Sequence, residues 1–441
     1  MLANSKIVII AFALLILNST ICALGGDYTS EYWQKRGDEF AQRGSFWIAQ
    51  ECYNKSLQLD RTNASVWMRK GQAYSGLYRY EDALSAYNES IRLDSHLTEA
   101  WYSKGLALAY LGRYDESIKA FEQAIDLHPK DSLSWYSKGL AQASAGLFED
   151  SILSLDEAVE LDGGLAGAWY SRALVLAELG RDDESMQALK RTVELDTENE
   201  DAWLGLGIDL MNVGNYSGSM AAFEKAIVLN PINAGAWIGK ATALRLSSRI
   251  EESIQAYNMS IDINPEDASA WNGKALAYAK LKKYNESIIM FDKAIEIDSN
   301  GTAFLYNKAL VLHDMKNYSA EVQVLRGAVN LQPDCAVCWN RLGLALAGLE
   351  SFEEAIAAYD RAIEENSSYL EPWNNRGISI VLGRGDYDGA LESFEQALKI
   401  DPKCMEAWVN KANVLKLAER ASDADYAQRK AQELGYKEDS A

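Results

Sequence analysis

Residues 101–129 read WYSKGLALAYLGRYDESIKAFEQAIDLHP, and the same frame returns along almost the whole 441-residue chain. Its leading tryptophan recurs every 34 residues, as Trp33, Trp67, Trp101, Trp135, Trp169, Trp203, Trp237 and Trp271. Leu305 takes one turn in the series, Trp339 and Trp373 resume it, and Trp408 closes it one residue late. A fixed period of this length predicts stacked repeats, each able to bury its apolar face only against its neighbours.

With the tryptophan counted as position 4, the quoted unit places Gly105 at 8, Gly112 at 15, Tyr114 at 17, Phe121 at 24, Ala124 at 27 and Pro129 at 32. Position 8 is always Gly or Ala, and position 27 always Ala, Ser or Thr. Position 20 is small in every unit but the ninth, where Glu321 stands. Steps of three and four residues (4, 8, 11 and 20, 24, 27) predict two amphipathic helices per unit. Small residues let their axes approach closely, and the aromatics at 4, 17 and 24 fill the space between. Asn63, Asp131, Asn199, Asn233 and Asp267 stand at position 34, where a side-chain acceptor caps the next helix. Pro129, Pro231, Pro265, Pro333 and Pro402 stop the second helix at position 32.

This pattern resembles the tetratricopeptide repeat, from Ser30 to about Glu438, in twelve units. The resemblance implies an all-α fold, an α-α superhelix (solenoid) of twelve tandem two-helix repeats. It also implies a concave groove lined by positions 2, 5, 6, 9, 12 and 13 of the first helices, and a non-catalytic protein–protein interaction scaffold. Position 7 departs from the family's usual leucine, being Lys70, Lys104, Lys138, Arg172, Lys240, Lys274 and Lys308. A snorkelling side chain whose stem packs on the neighbouring helix accounts for it. Unit 11 carries one extra residue in its Gly383–Gly385 turn. In unit 12 the second helix, roughly Ala421 to Leu434, is polar, as an exposed end cap should be.

The formal net charge of -21 argues against a nucleic-acid partner, because phosphates would be repelled. Five cysteines do not make a disulfide scaffold. Cys335-x-x-Cys338 is read as small residues at tolerant positions, since no second pair follows with zinc spacing and no βαβ context supports a redox site. His96, His128 and His313 lack partners in metal-ligand spacing, and Gly239-Lys240 and Gly273-Lys274 continue into alanine, not into a phosphate-binding loop. No catalytic constellation, metal site or cofactor is expected.

Residues 1–25 do not fit the repeat. Lys6, the apolar run Ile7–Leu17 and the small-x-small Ala23-Leu24-Gly25 read as a signal peptide cleaved before Gly26, leaving 26–441 as a single repeat domain. Extending the apolar span to Leu24 leaves open an uncleaved membrane anchor. Lipidation at Cys22 is disfavoured by the bulky Ile21. Each alternative places the repeats outside the cytoplasmic membrane, as an extracellular or cell-envelope protein that meets the membrane only through this segment. Nine Asn-x-Ser/Thr sequons agree with export: Asn54, Asn63, Asn88, Asn215, Asn258, Asn285, Asn300, Asn317 and Asn366.

Groove positions divide the chain. Tyr102, Tyr136 and Tyr170 repeat at position 5 and Leu106, Leu140 and Leu174 at position 9, continued by Leu204, Ile208 and Ile238. An aromatic-aliphatic strip of this kind suits a partner polypeptide. Further on come Asn272, Asn307, Asn340, Asn374, Asn375 and Asn410, at positions 5 or 6, where a ladder of amides would hold an extended backbone. No unit has lysine at position 5, so the family's carboxylate clamp is not expected. Two readings remain: a scaffold binding an extended or helical segment in its groove, or a structural, glycosylated cell-envelope component that self-associates.

Overall fold

The computed structural model of this chain describes residues 28–436. The leader at 1–25 lies outside the described residues. Among them are 24 helices and no strands, which alternate as first and second helices of twelve tandem pairs. The fold is an all-α solenoid of helix pairs. No helix among the described residues is long and apolar enough to cross a membrane.

The chain divides into two compact units between Ala202 and Trp203. Within each, a second helix packs on its own first helix and on the first helix of the following repeat. The third repeat is representative, with Thr98–Tyr110 followed by Tyr114–Leu127. A Cβ on Gly105 would lie 2.7 Å from the Phe121 ring, so the glycine is what admits the aromatic at position 24. The same closeness pairs Gly207 with Phe223, at 2.8 Å. Serine at position 20 is buried and, except at Ser253, donates back to the position 8 carbonyl, as Ser117 does to Gly105 (2.8 Å) and Ser219 to Gly207 (2.7 Å). A hydroxyl is tolerated there because this bond satisfies it.

All five expected position 34 caps form. Asn63, Asp131, Asn199, Asn233 and Asp267 each accept from a backbone N–H two or three residues on. The tryptophan period also acquires a reason. The indole N–H of nine periodic tryptophans donates to the carbonyl six residues earlier, in the turn between repeats, as Trp101 does to Ser95 (3.0 Å), Trp135 to Pro129 (2.9 Å), Trp271 to Pro265 (2.9 Å) and Trp339 to Pro333 (2.8 Å). Tryptophan therefore fills apolar space and ties down a turn carbonyl at once, which Leu305 cannot do.

The basic position 7 differs in detail from expectation. In seven repeats its cation lies over the indole of its own repeat, at 4.8 Å for Lys70 on Trp67, 5.1 Å for Lys104 on Trp101 and 5.4 Å for Lys138 on Trp135. Lys138 also reaches Glu122 on the preceding second helix, at 3.1 Å. Position 15 adopts the left-handed conformation, natural for Gly112 (φ 72) but also imposed on Tyr78 (φ 59). The extra residue of unit 11 is absorbed where Leu370–Arg384 ends on the left-handed Gly385. The last helix, Ala421–Glu433, buries only alanines.

Candidate functional site

In the N-terminal unit, Thr98–Tyr110, Ser132–Ser144 and Ala166–Glu178 bring the predicted tyrosines and leucines to one helix face. The tyrosines are only half exposed, and Tyr102 and Tyr136 reach toward the next first helix. Ser137 Oγ donates to the Tyr102 hydroxyl at 3.3 Å. The Tyr136 hydroxyl sits against Gly167, where a Cβ would come within 3.1 Å. Burial raises the Tyr170 phenol above its ordinary value, and nearby Asp201 adds to this. The aliphatic residues carry the open apolar surface: Leu140 is 38% and Leu174 50% exposed, while Leu106 is half-buried. In the C-terminal unit Ile208 is 48% exposed, and Leu204 and Ile238 are half-buried.

The asparagines do not form one open row. They pair across repeats: Asn307 Nδ2 donates to Asn272 Oδ1 at 3.1 Å, Asn375 to Asn340 at 3.2 Å, and Asn410 to Asn374 at 2.9 Å. The Asn340 amide donates in turn to the Tyr369 hydroxyl, at 3.0 Å. The shift between positions 5 and 6, which on a helix rotates a side chain by about 100°, is thereby explained. Position 5 of one repeat faces position 6 of the next, as Tyr102 faces Ser137. Part of each amide's hydrogen-bonding capacity is spent on its neighbour.

A buried charged cluster lies in the same unit, and sequence spacing did not reveal it. Glu321 is fully buried (0% exposed). Its Oε1 accepts from Arg341 Nε at 3.0 Å, and its Oε2 lies 3.0 Å from His313 Nδ1. Burial pushes the Glu321 carboxyl above the usual carboxylate value, although Arg341 and His313 act to lower it. His313 on Thr302–Asp314 thus finds its partner on the following helix, Tyr318–Leu331. The signal available was Glu321 itself, the one large residue at position 20.

Two further expectations change. Cys335 and Cys338 are joined in a disulfide at the start of Ala336–Gly348, where spacing had suggested mere small residues. Cys52 and Cys404 are free and buried, and burial pushes the Cys52 thiol up to about 11. Seven of the nine sequons divide into two kinds. At Asn54, Asn88, Asn258 and Asn285 the serine two residues on is fully buried (Ser56, Ser90, Ser260 and Ser287). Its hydroxyl donates to a backbone carbonyl, as Ser90 does to Ala64 at 2.8 Å and Ser287 to Ala275 at 2.8 Å. Asn215, Asn317 and Asn366, with Ser217, Ser319 and Ser368, are exposed. Asn63 is half-buried and Asn300 is exposed before a half-buried Thr302, while Asn63, Asn215 and Asn317 each accept one backbone N–H as helix caps. Among the described residues no three His, Cys, Asp or Glu side chains gather as a metal site.

Tetratricopeptide repeat models match residues 64–96, 102–166, 166–199, 204–268, 268–300, 302–335, 336–369 and 379–435. A 62-residue stretch is 34% identical to an uncharacterized protein of Methanocaldococcus jannaschii, over 14% of this chain and 71% of that protein. Among solved structures, YrrB, described as a TPR protein with an unusual peptide-binding site, is 24% identical over 42% of this chain and 95% of its own, with a TM-score of 0.37. Yeast Tom70 covers 92% of both chains at 15% identity and a TM-score of 0.43. MamA is 25% identical over 36% of this chain and 94% of its own, with a TM-score of 0.35. With its 34-residue frame, helix pairs and matched segments in agreement, the chain belongs to the tetratricopeptide repeat family.

Proposed function

We propose that this protein is a non-catalytic interaction scaffold, exported from the cytoplasm, that holds an extended or helical polypeptide segment against its first helices. The observation that carries this reading is the row of open leucines, Leu140 and Leu174, flanked by tyrosines fixed between helices. A monomer gains nothing by exposing aliphatic side chains at one repeated position, whereas a partner's apolar residue gains by covering them. The half-buried tyrosines are already immobilised, so little side-chain entropy remains to be lost when a ligand arrives. In the C-terminal unit, Ile208 and the unspent valences of Asn272 and Asn307 offer the same mixture of apolar burial and backbone hydrogen bonding. The cation-over-indole contacts and internal ion pairs engage positions 4, 7 and 25 and take up none of the position 9 residues.

The test uses peptides selected against residues 26–441 from a random display library. Leu140→Glu/Leu174→Glu alters two partly exposed positions, and its melting temperature, measured beside the wild type, separates lost contact from lost folding. Selected peptides enriched in apolar residues are expected to lose at least tenfold in affinity for this variant, about 1.4 kcal/mol or more. Equal affinity for both proteins, or no selectable peptide at all, would overturn the groove reading.

Export is supported by the apolar leader Ile7–Leu17 and by the sequons. A transferase must read both the asparagine and the hydroxyl of a sequon, so burial sorts seven of the nine. Glycopeptide mass spectrometry of the native protein is expected to find occupancy at Asn215, Asn317 and Asn366, and none at Asn54, Asn88, Asn258 or Asn285. Glycan on the second group but not the first would contradict this assignment.

A further inference from the structure

Basic residues at position 7 close on a carboxylate wherever position 25 of the preceding repeat supplies one. Lys138 meets Glu122 at 3.1 Å, Lys240 meets Glu224 at 2.9 Å and Lys411 meets Glu395 at 2.9 Å. Arg172 with Asp156 and Arg376 with Asp360 do the same, at 2.5 and 2.6 Å. Where position 25 is basic, as at Arg326, position 7 reverts to the apolar Leu342. The two positions thus form one electrostatic unit, bridging a second helix to the next first helix.

Three repeats break this rule. Asn54 stands before Lys70, Asn88 before Lys104 and Asn258 before Lys274. Burial lowers the ammonium of all three lysines below its ordinary value. Lys70 forms no ion pair among the described residues, its charge resting on the Trp67 ring at 4.8 Å and the Tyr74 ring at 5.7 Å. At Lys70 the missing carboxylate coincides with a cavity of about 580 Å³. Its walls bring Asn54, Gln58, Arg61 and Arg92 together with Lys70. Glu89 on the wall is engaged by Arg92 at 2.8 Å, and Glu51 on the same wall opposes, through its charge, part of the effect of burial on Lys70.

We propose that this cavity binds a carboxylate supplied from outside the chain, held by Lys70 and Arg61 and by the Asn54 amide as donor. The incoming group takes the place that Glu122 fills for Lys138, so the sister repeats define both its chemistry and its position. A charge-assisted bond to a partly desolvated ammonium is stronger than one made in open water. It also relieves Lys70 of its unfavourable burial. The site lies between the second helix Phe46–Leu59 and the first helix Ala64–Gly76, uses positions 25 and 7 and not 5 and 9, and does not depend on the groove reading.

The experiment measures fluorescence anisotropy of a labelled hexaglutamate peptide with the full chain. Salt is held at about 0.15 M, where a Debye length of about 8 Å screens remote acids. Saturable binding is expected for the wild type. Asn54→Asp supplies the internal carboxylate found in the sister repeats. It should weaken binding at least tenfold while leaving the melting temperature equal or higher, so a folding defect cannot mimic the result. Lys70→Met should lose binding, and Lys138→Met should keep it. Succinate in competition separates the sources: displacement at equal carboxylate concentration assigns a small dicarboxylate, and persistence of the peptide assigns an acidic polypeptide segment. No saturable binding by the wild type, or undiminished binding by Asn54→Asp, overturns the proposal.

Discussion

Arg341→Met is expected to destabilise the ninth and tenth repeats by about 3–5 kcal/mol at neutral pH, the usual cost of stranding one partner of a buried ion pair. Glu321 has no access to solvent, and its two oxygens are satisfied only by Arg341 and His313. Methionine fills the volume of the arginine stem but returns neither the charge nor the hydrogen bond. The pH dependence identifies the cause. Burial already holds the Glu321 carboxyl above its ordinary value of 4.5. A carboxyl raised on folding contributes stability that is fully present below its unfolded pKa and is lost as pH rises through the folded one. Removing Arg341 takes away the stronger of the two lowering influences, so the folded value climbs further. The deficit of Arg341→Met should therefore be greatest at pH 7 and shrink toward pH 4. The double variant Glu321→Ala/Arg341→Ser restores the small residues that other repeats carry at positions 20 and 6. It should remove the pH dependence and recover the part of the loss that comes from the stranded charge, leaving only the cost of the volume vacated by the two long side chains. Hydrogen exchange of Tyr318–Leu331 and Ala336–Gly348 across this pH range is the measurement; a deficit independent of pH would sink the argument.

What could be read in the sequence was whatever the repeat enforces locally. Trp101, Gly105, Phe121 and Ala124 lie within one helix pair, and their spacing alone predicted that pair. The five caps were equally legible, since an N-cap acts only on the backbone two or three residues ahead. Contacts between repeats were harder. That Asn307 answers Asn272 requires knowing that position 6 faces position 5 of the repeat before, a relation set by how successive first helices are offset. The 35-residue spacing looked like imperfect register until the side chains met. The Glu321 cluster draws on two first helices and one second helix, so no single stretch displays it. The period marked tryptophan without showing why leucine is a poor substitute; the answer is an indole N–H aimed at a turn carbonyl. The serines of Asn54, Asn88 and Asn258 could not be told from open sequons because position 27 demands a small residue, and serine meets that demand and the sequon rule together.

Phe121→Ala should be nearly as damaging, at about 3–5 kcal/mol, the range for deleting a buried aromatic. Phe121 is fully buried on Tyr114–Leu127, and its ring lies over Gly105 and 5.7 Å from the Tyr102 ring. The opposing residue is a glycine, so nothing on the first helix can swing in to fill the void, and the loss should fall near the upper end of that range. The remedy is written two repeats later, where Ala173 faces Leu189 and both are buried. Gly105→Ala/Phe121→Leu copies that pair, moving volume from one helix to the other, and should regain most of the stability. Because each repeat touches only its neighbours, a global midpoint would dilute the effect over the array. The sharper reading is hydrogen exchange of Tyr114–Leu127, whose protection should fall by roughly a hundredfold or more in the single variant. It should return to near the native value in the double variant. Failure of the double variant to recover would mean that helix separation in the third repeat is set by contacts other than positions 8 and 24. Since Tyr102 borders the same ring, Phe121→Ala should also loosen the predicted binding face while leaving Leu140 and Leu174 in place. Peptide affinity should then fall less than in Leu140→Glu/Leu174→Glu, which separates damage to the support from damage to the contact itself.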